Sequence, residues 1–231
     1  DDPLVPVGRV PDQGLVDIAL PQPVAPGERL TVHLTFRTRV PRAKNWGHAD
    51  GIVALTGLWH PLLIPSREGS WVTGLQEFVP AQYHVRLQTA ADHTVIASVP
   101  WTQRTVQQDR QTLTGSAGPL THLGLSLSKG WQILTDDAHT PPLRVAVPMA
   151  DAALAPRLLD TVHSVAAFLH TAYDLTLPGP LTVVVHERDT SWPFSAEADG
   201  VLLISRDLLR VPGLIRKLLE FHVARGVAQQ W

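Results

Sequence analysis

The sequence predicts an α+β protein, with an antiparallel, strand-rich part over residues 1–140 followed by a mixed α/β part over residues 141–231. Three observations predict it. From Val16 to about Ser128, apolar and polar residues alternate in short runs, such as Val32, Leu34, Phe36 and Tyr83, Val85, Leu87, which is the period of a half-buried strand. After Pro148 the period lengthens to three and four, at Leu154, Leu158, Val162, Val165 and Leu169, the spacing of an amphipathic helix. Between the two patterns stands Thr140-Pro141-Pro142. Proline lacks an amide proton and fixes φ, so the domain boundary is predicted there.

Element by element, Pro26-Gly27-Glu28 supplies a turn before a strand predicted over Arg29 to Val40. Arg67-Glu68-Gly69-Ser70 supplies another before Trp71, and the shortness of the runs is that of sandwich strands. Asp151 is placed to cap the first turn of the long helix. Leu181 to Val185 is an apolar, Val-rich run that reads as a buried strand, and Gly200 to Ser205 reads as a second. Pro212 suits a first helical turn, and Leu214, Ile215, Leu218, Leu219 and Val223 form the apolar stripe of a final helix.

Composition narrows the chemistry. With 231 residues and 44% apolar content the chain is long enough for substantial cores. The net charge of -2 comes without any run of Lys or Arg, which argues against nucleic acid or an anionic membrane as partner. There is no cysteine, so disulfides and thiolate chemistry are excluded and metal ligands must be His, Asp or Glu. No stretch approaches the roughly 20 apolar residues of a membrane span. The start lacks a signal-peptide profile, and the end at Trp231 interrupts an apolar helical pattern, so a fragment of a longer protein is expected. There is no G-x-S-x-G elbow and no phosphate-binding G-x-x-x-x-G-K-[ST] loop. His163 and His170 lie two helical turns apart, too far to share a metal, and His186-Glu187 reads as exposed polarity.

The last segment, Val223-Ala224-Arg225-Gly226-Val227-Ala228-Gln229-Gln230-Trp231, resembles the zinc helix V-A-H-E-x-A-H-Q-W of the aminopeptidase N family of gluzincin metallopeptidases. In an intact motif, two His at i and i+4 hold zinc and the Glu beside them activates the metal-bound water. Here Arg225, Gly226 and Gln229 stand at those three positions. Upstream, Ser195-Ala196-Glu197-Ala198-Asp199-Gly200-Val201-Leu202-Leu203-Ile204-Ser205 is similar to the family's G-x-M-E-N strand and its continuation. The resemblance makes Glu197 the residue that binds the free amino group of a substrate. Val16-Asp17-Ile18-Ala19-Leu20 and Pro26-Gly27-Glu28-Arg29-Leu30 resemble the opening strands of the family's saddle-like N-terminal domain. Gly57-Leu58-Trp59-His60-Pro61, Trp71, Tyr83 to Leu87 and Val95 to Ser98 follow in that domain's order.

The resemblance implies a β saddle domain followed by a partial thermolysin-like domain that ends in a degenerate zinc helix. It implies further that the third zinc ligand and the oxyanion-stabilising Tyr would lie beyond Trp231. A guanidinium offers no lone pair to a metal and Gly226 removes the general base, so no catalytic residue, no metal ligand and no cofactor is expected. The functional expectation is a catalytically inactive peptidase-like module that binds a peptide or protein partner or acts as a scaffold. A zinc aminopeptidase or other hydrolase completed by further sequence or by a partner is the alternative. A third reading is a structural segment outside the cytoplasm or against a membrane, in a longer protein, with an apolar patch on the Leu214–Val223 helix.

Overall fold

In the computed structural model, the described residues are 6–10, 15–20, 22–42, 47–49, 51–56, 59–68, 70–72, 78–186, 195–210 and 216–230. The chain divides into two compact units, Asp1–Thr38 with Ile64–Glu77, and Arg39–Leu63 with Phe78–Trp231. The change to α/β character predicted at residue 140 falls inside the second unit.

The first unit holds two short antiparallel ladders. Strand β1 (Pro6–Val10) pairs with β2 (Leu15–Ile18), and β5 (Ser66–Arg67) pairs with β6 (Ser70–Trp71). The turn predicted at Pro26-Gly27-Glu28 forms: Glu28 N donates to Ala25 O at 3.0 Å, and Ala25 N to Glu28 Oε2 at 2.8 Å. Gly27 has φ +87, a value that glycine adopts without the steric penalty of a side chain. The strand predicted to follow is a correction, because residues 29–40 carry no ladder among the described residues. Leu30, Val32, Leu34 and Phe36 are 39–53% exposed. Alternation marks the face that a strand would bury, but a strand also needs a partner for its amides.

The second unit contains a three-stranded sheet of β7 (Ala81–Ala90), β10 (Arg110–Leu120) and β9 (Trp101–Gln107), with β10 in the middle. Tyr83, Val85 and Leu87 are half-buried on alternate positions of β7, as the period of two requires. A four-stranded antiparallel sheet runs in the order β3 (Gly47–Ala49), β4 (Ile52–Leu55), β11 (Leu125–Ser128), β8 (Thr94–Ala97).

A five-stranded sheet follows in the order β12 (Trp131–Asp136), β13 (Leu143–Pro148), β14 (Leu181–His186), β16 (Val201–Ser205), β15 (Ser195–Ala198). Its three central strands are parallel and both edges antiparallel. Helix α1 (Ala155–Tyr173) is the crossover that a parallel β13–β14 pair demands. Alternate side chains of the sheet enter two cores. Val145, Val183, Val185, Leu202 and Ile204 pack with Leu158 and Val162 of α1, with Leu208 and Leu209 of the short α2 (Asp207–Arg210) and with Leu219 and Val223 of α3 (Arg216–Ala228). Ala146, Val184, Val201 and Leu203 pack with Ile52, Ala54 and Ile96 of the four-stranded sheet. Burial on both faces is why these strands read as unbroken apolar runs.

Asp151 differs from its predicted role. It lies inside a 3-10 segment, Met149–Leu154, and α1 begins after its N-cap residue Leu154 with a proline in its first turn. Its buried carboxylate instead pairs with Arg206 Nε, just after β16. Pro156 starts the helix without a side-chain cap, since its missing amide proton is one that no intrahelical acceptor would meet.

Candidate functional site

Two of the segments that carry the resemblance, Ser195–Ser205 and the final helix, lie together at one edge of the five-stranded sheet. Residues Ser195–Ser205 form a hairpin, β15 turning at Asp199-Gly200 into β16, with Glu197 in register with Leu202. Gly200 has φ +70, and a Cβ there would come within 3.0 Å of Pro180 O. Helix α3 packs on both strands of this hairpin. Glu197 is on β15, at the edge of the sheet, and its side chain is outside the described residues.

On α3, Leu219, Val223 and Val227 are buried while Arg225 is exposed; Gln229, in the turn just after α3, is also exposed, and its N donates to Arg225 O at 3.0 Å. That bond carries the helical course one residue further, and residues i and i+4 share one helical face, so Arg225 and Gln229 lie on the same exposed side. Gly226 lies between that face and the core. A Cβ added to it would stand 2.3 Å from Leu202 Cδ1 and 3.0 Å from Leu202 Cγ, and Leu202 is itself fully buried. Gly226 is thus a position of close contact between α3 and β16. A Glu side chain there would have to displace Leu202.

Two further contacts, which the sequence reading missed, fix the hairpin. Gln230 Oε1 accepts from Gly200 N at 2.8 Å, while its Nε2 donates to Gly226 O at 3.2 Å and to Ala198 O at 3.5 Å. Asp199 Oδ2 accepts from His122 N at 2.7 Å and from Thr121 Oγ1 at 3.1 Å. Gly124 admits the hairpin closely, because a Cβ there would lie 2.9 Å from Ala198 Cβ. The Asp199-Gly200 dipeptide, a turn pair between two apolar runs, was the available signal.

Electrostatics on this face follow from burial and from Arg225. The His222 imidazole is held below its usual pKa by burial, and next by the nearby Arg225 cation. Arg225 sits in the last turn of α3, where a positive charge meets the negative end of the helix dipole. Phe221, on the solvent side of α3, is 60% exposed, and its ring centroid is 5.5 Å from that of His222. The side chains at 211–216, including Leu214 and Ile215 of the predicted apolar patch, are outside the described residues, and the patch's Leu219 and Val223 are buried rather than exposed.

His186 is a second correction. It is buried, at the carboxyl end of β14, and its carbonyl accepts from Arg206 N at 3.0 Å. The apolar strand carries it inward, so it is not the exposed polar residue predicted; Glu187 is outside the described residues. His163 and His170 take separate partners, Asp136 Oδ2 at 2.9 Å and Thr176 Oγ1 at 3.3 Å.

Arg225, Gly226 and Gln229 do not fit zinc. Arg225 has no lone pair to give, Gly226 has no side chain, and Gln229 offers a single carbonyl oxygen. Among the described residues, no group of three or more His, Asp or Glu side chains is arranged to hold a metal ion, and no helix is long and apolar enough to cross a membrane. No protein-family model and no curated protein matches the chain.

Proposed function

We propose that this chain is a non-catalytic, aminopeptidase N-like module, with a saddle-like β part and a partial thermolysin-like α/β part, that serves in binding a peptide or protein or in scaffolding. One observation carries the reading. Arg225, in the last turn of α3, and Gln229, just past its end, are exposed on one side, with Gly226 pressed against Leu202 at the position the resemblance gives to the general base. The frame needed to present two ligands and a base is retained, while each reactive group is replaced by one that cannot do its work. Glu197, on the edge strand, is the residue proposed to meet a peptide amine.

The test is turnover of aminoacyl fluorogenic substrates by purified protein in the presence of added zinc, with binding of short peptides followed in parallel. The reading expects no turnover. It also expects Glu197→Gln to weaken any peptide binding that depends on a free amino terminus. Zinc-dependent cleavage lost on chelation would overturn it in favour of a hydrolase.

A further inference from the structure

The strands β9 and β10, with the residues just before and in β8, enclose an open groove of about 450 Å3, within the size range of small-molecule sites. Val95, Trp101 and Leu113 give it an apolar wall. Trp101 is fixed in orientation by its Nε1, which donates to Val95 O at 3.2 Å. At the polar end stands Arg104, whose Nε donates to Gln111 Oε1 at 2.8 Å and whose Nη2 donates to Ala91 O at 3.3 Å. Gln111 is 2% exposed and is itself locked, with Nε2 donating to Ala90 O at 3.1 Å and His93 O at 2.5 Å. The guanidinium is therefore held by a buried support, and its Nη1 makes no hydrogen bond among the described residues. Among the described residues, no Asp or Glu lines the groove. The nearest carboxylate in sequence, Asp92, is engaged by Lys129 Nζ at 2.8 Å.

We infer that this groove binds a small organic oxyanion, a carboxylate or phosphate carried on a flat apolar body, with the anion on Arg104 and the body against Trp101. A planar guanidinium that is already oriented loses little freedom on accepting an oxyanion and can offer parallel N–H donors. An aromatic wall beside it favours a flat apolar group. A cationic ligand is disfavoured because the lining supplies a fixed positive charge and no acid. The groove shares no residue with α3 or the β15–β16 hairpin, so the inference does not depend on the proposed function.

The experiment is a titration of the whole chain, labelled with 15N, with phenylacetate, phenyl phosphate and the neutral phenylacetamide. The Trp101 indole N–H and the Arg104 Nε–H are the reporters. Saturable shifts of both signals are expected with at least one anion, and the preferred anion tells carboxylate from phosphate. The amide should bind at least about tenfold more weakly, and Arg104→Gln should reduce anion binding by a similar factor. Equal binding of phenylacetate and phenylacetamide, or no saturable shift with either anion, would overturn the inference. If Arg104→Gln does not fold, the comparison of anions with amide on the unaltered protein decides.

Discussion

The side-chain oxygen of Gln230 lies 2.8 Å from the backbone nitrogen of Gly200, so the end of α3 is fastened to the turn of the β15–β16 hairpin. The same amide reaches Gly226 O within its own helix, which makes Gln230 a clamp between the two segments on which the functional reading rests. Gln230→Ala removes hydrogen bonds at a partly buried site and is expected to lower stability by about 1–2 kcal/mol. Amide hydrogen exchange at Gly200 reads the effect directly. Its exchange should accelerate relative to amides in β7, and unchanged exchange would mean that the clamp carries no load.

Gly226→Ala sets two effects against each other. Replacing a mid-helix glycine favours the helix by about 1 kcal/mol, whereas forcing a methyl into a packed core costs about 1–3 kcal/mol. Because the fully buried Leu202 is the obstacle, the packing loss is expected to win. Chemical denaturation of the two single variants and of Gly226→Ala with Leu202→Ala should give a double variant more stable than additivity predicts.

Breaking the buried pair of Asp151 and Arg206 should be among the most damaging single changes. Asp151→Ala leaves a half-buried guanidinium without that carboxylate and is expected to cost about 3 kcal/mol. The paired change Asp151→Leu with Arg206→Met should recover most of the loss, as thermal unfolding of the three variants will reveal.

Acid should weaken the second unit in the range where histidine titrates. His60 is held below its ordinary pKa of 6.5 first by burial and further by His122, against a raising contribution from the Pro61 carbonyl. A lowered folded pKa means that the unfolded chain binds the proton more tightly. The stability contributed by neutral His60 is then present above pH 6.5 and is lost as pH falls through the folded value. The melting temperature should fall between neutral pH and about pH 5, and His60→Gln should flatten that slope.

Much of the α/β part was legible in the sequence. The three-and-four spacing from Leu154 to Leu169 marked α1, because one apolar stripe faces the core, and the Val-rich run at 181–185 marked β14, because both of its faces are buried. The run Arg29 to Val40 carried an equally clear period and forms no strand, because a ladder partner is a long-range property that no local pattern records. Asp151 failed as a cap for a related reason: its partner Arg206 is 55 residues away in sequence. At the candidate site the pattern identified the helix and β16, while β15 was read only through the family resemblance and its antiparallel turn into β16 was not predicted. The contact of Gly226 with Leu202 and the clamp from Gln230 to Gly200 arise only when those elements meet.

The most direct test of the central claim is the metal content of the purified chain after equilibration with excess zinc and removal of unbound metal. A face presenting Arg225 and Gln229 should retain no stoichiometric zinc. Zinc retained one-to-one, and released by Gln229→Ala, would contradict the account.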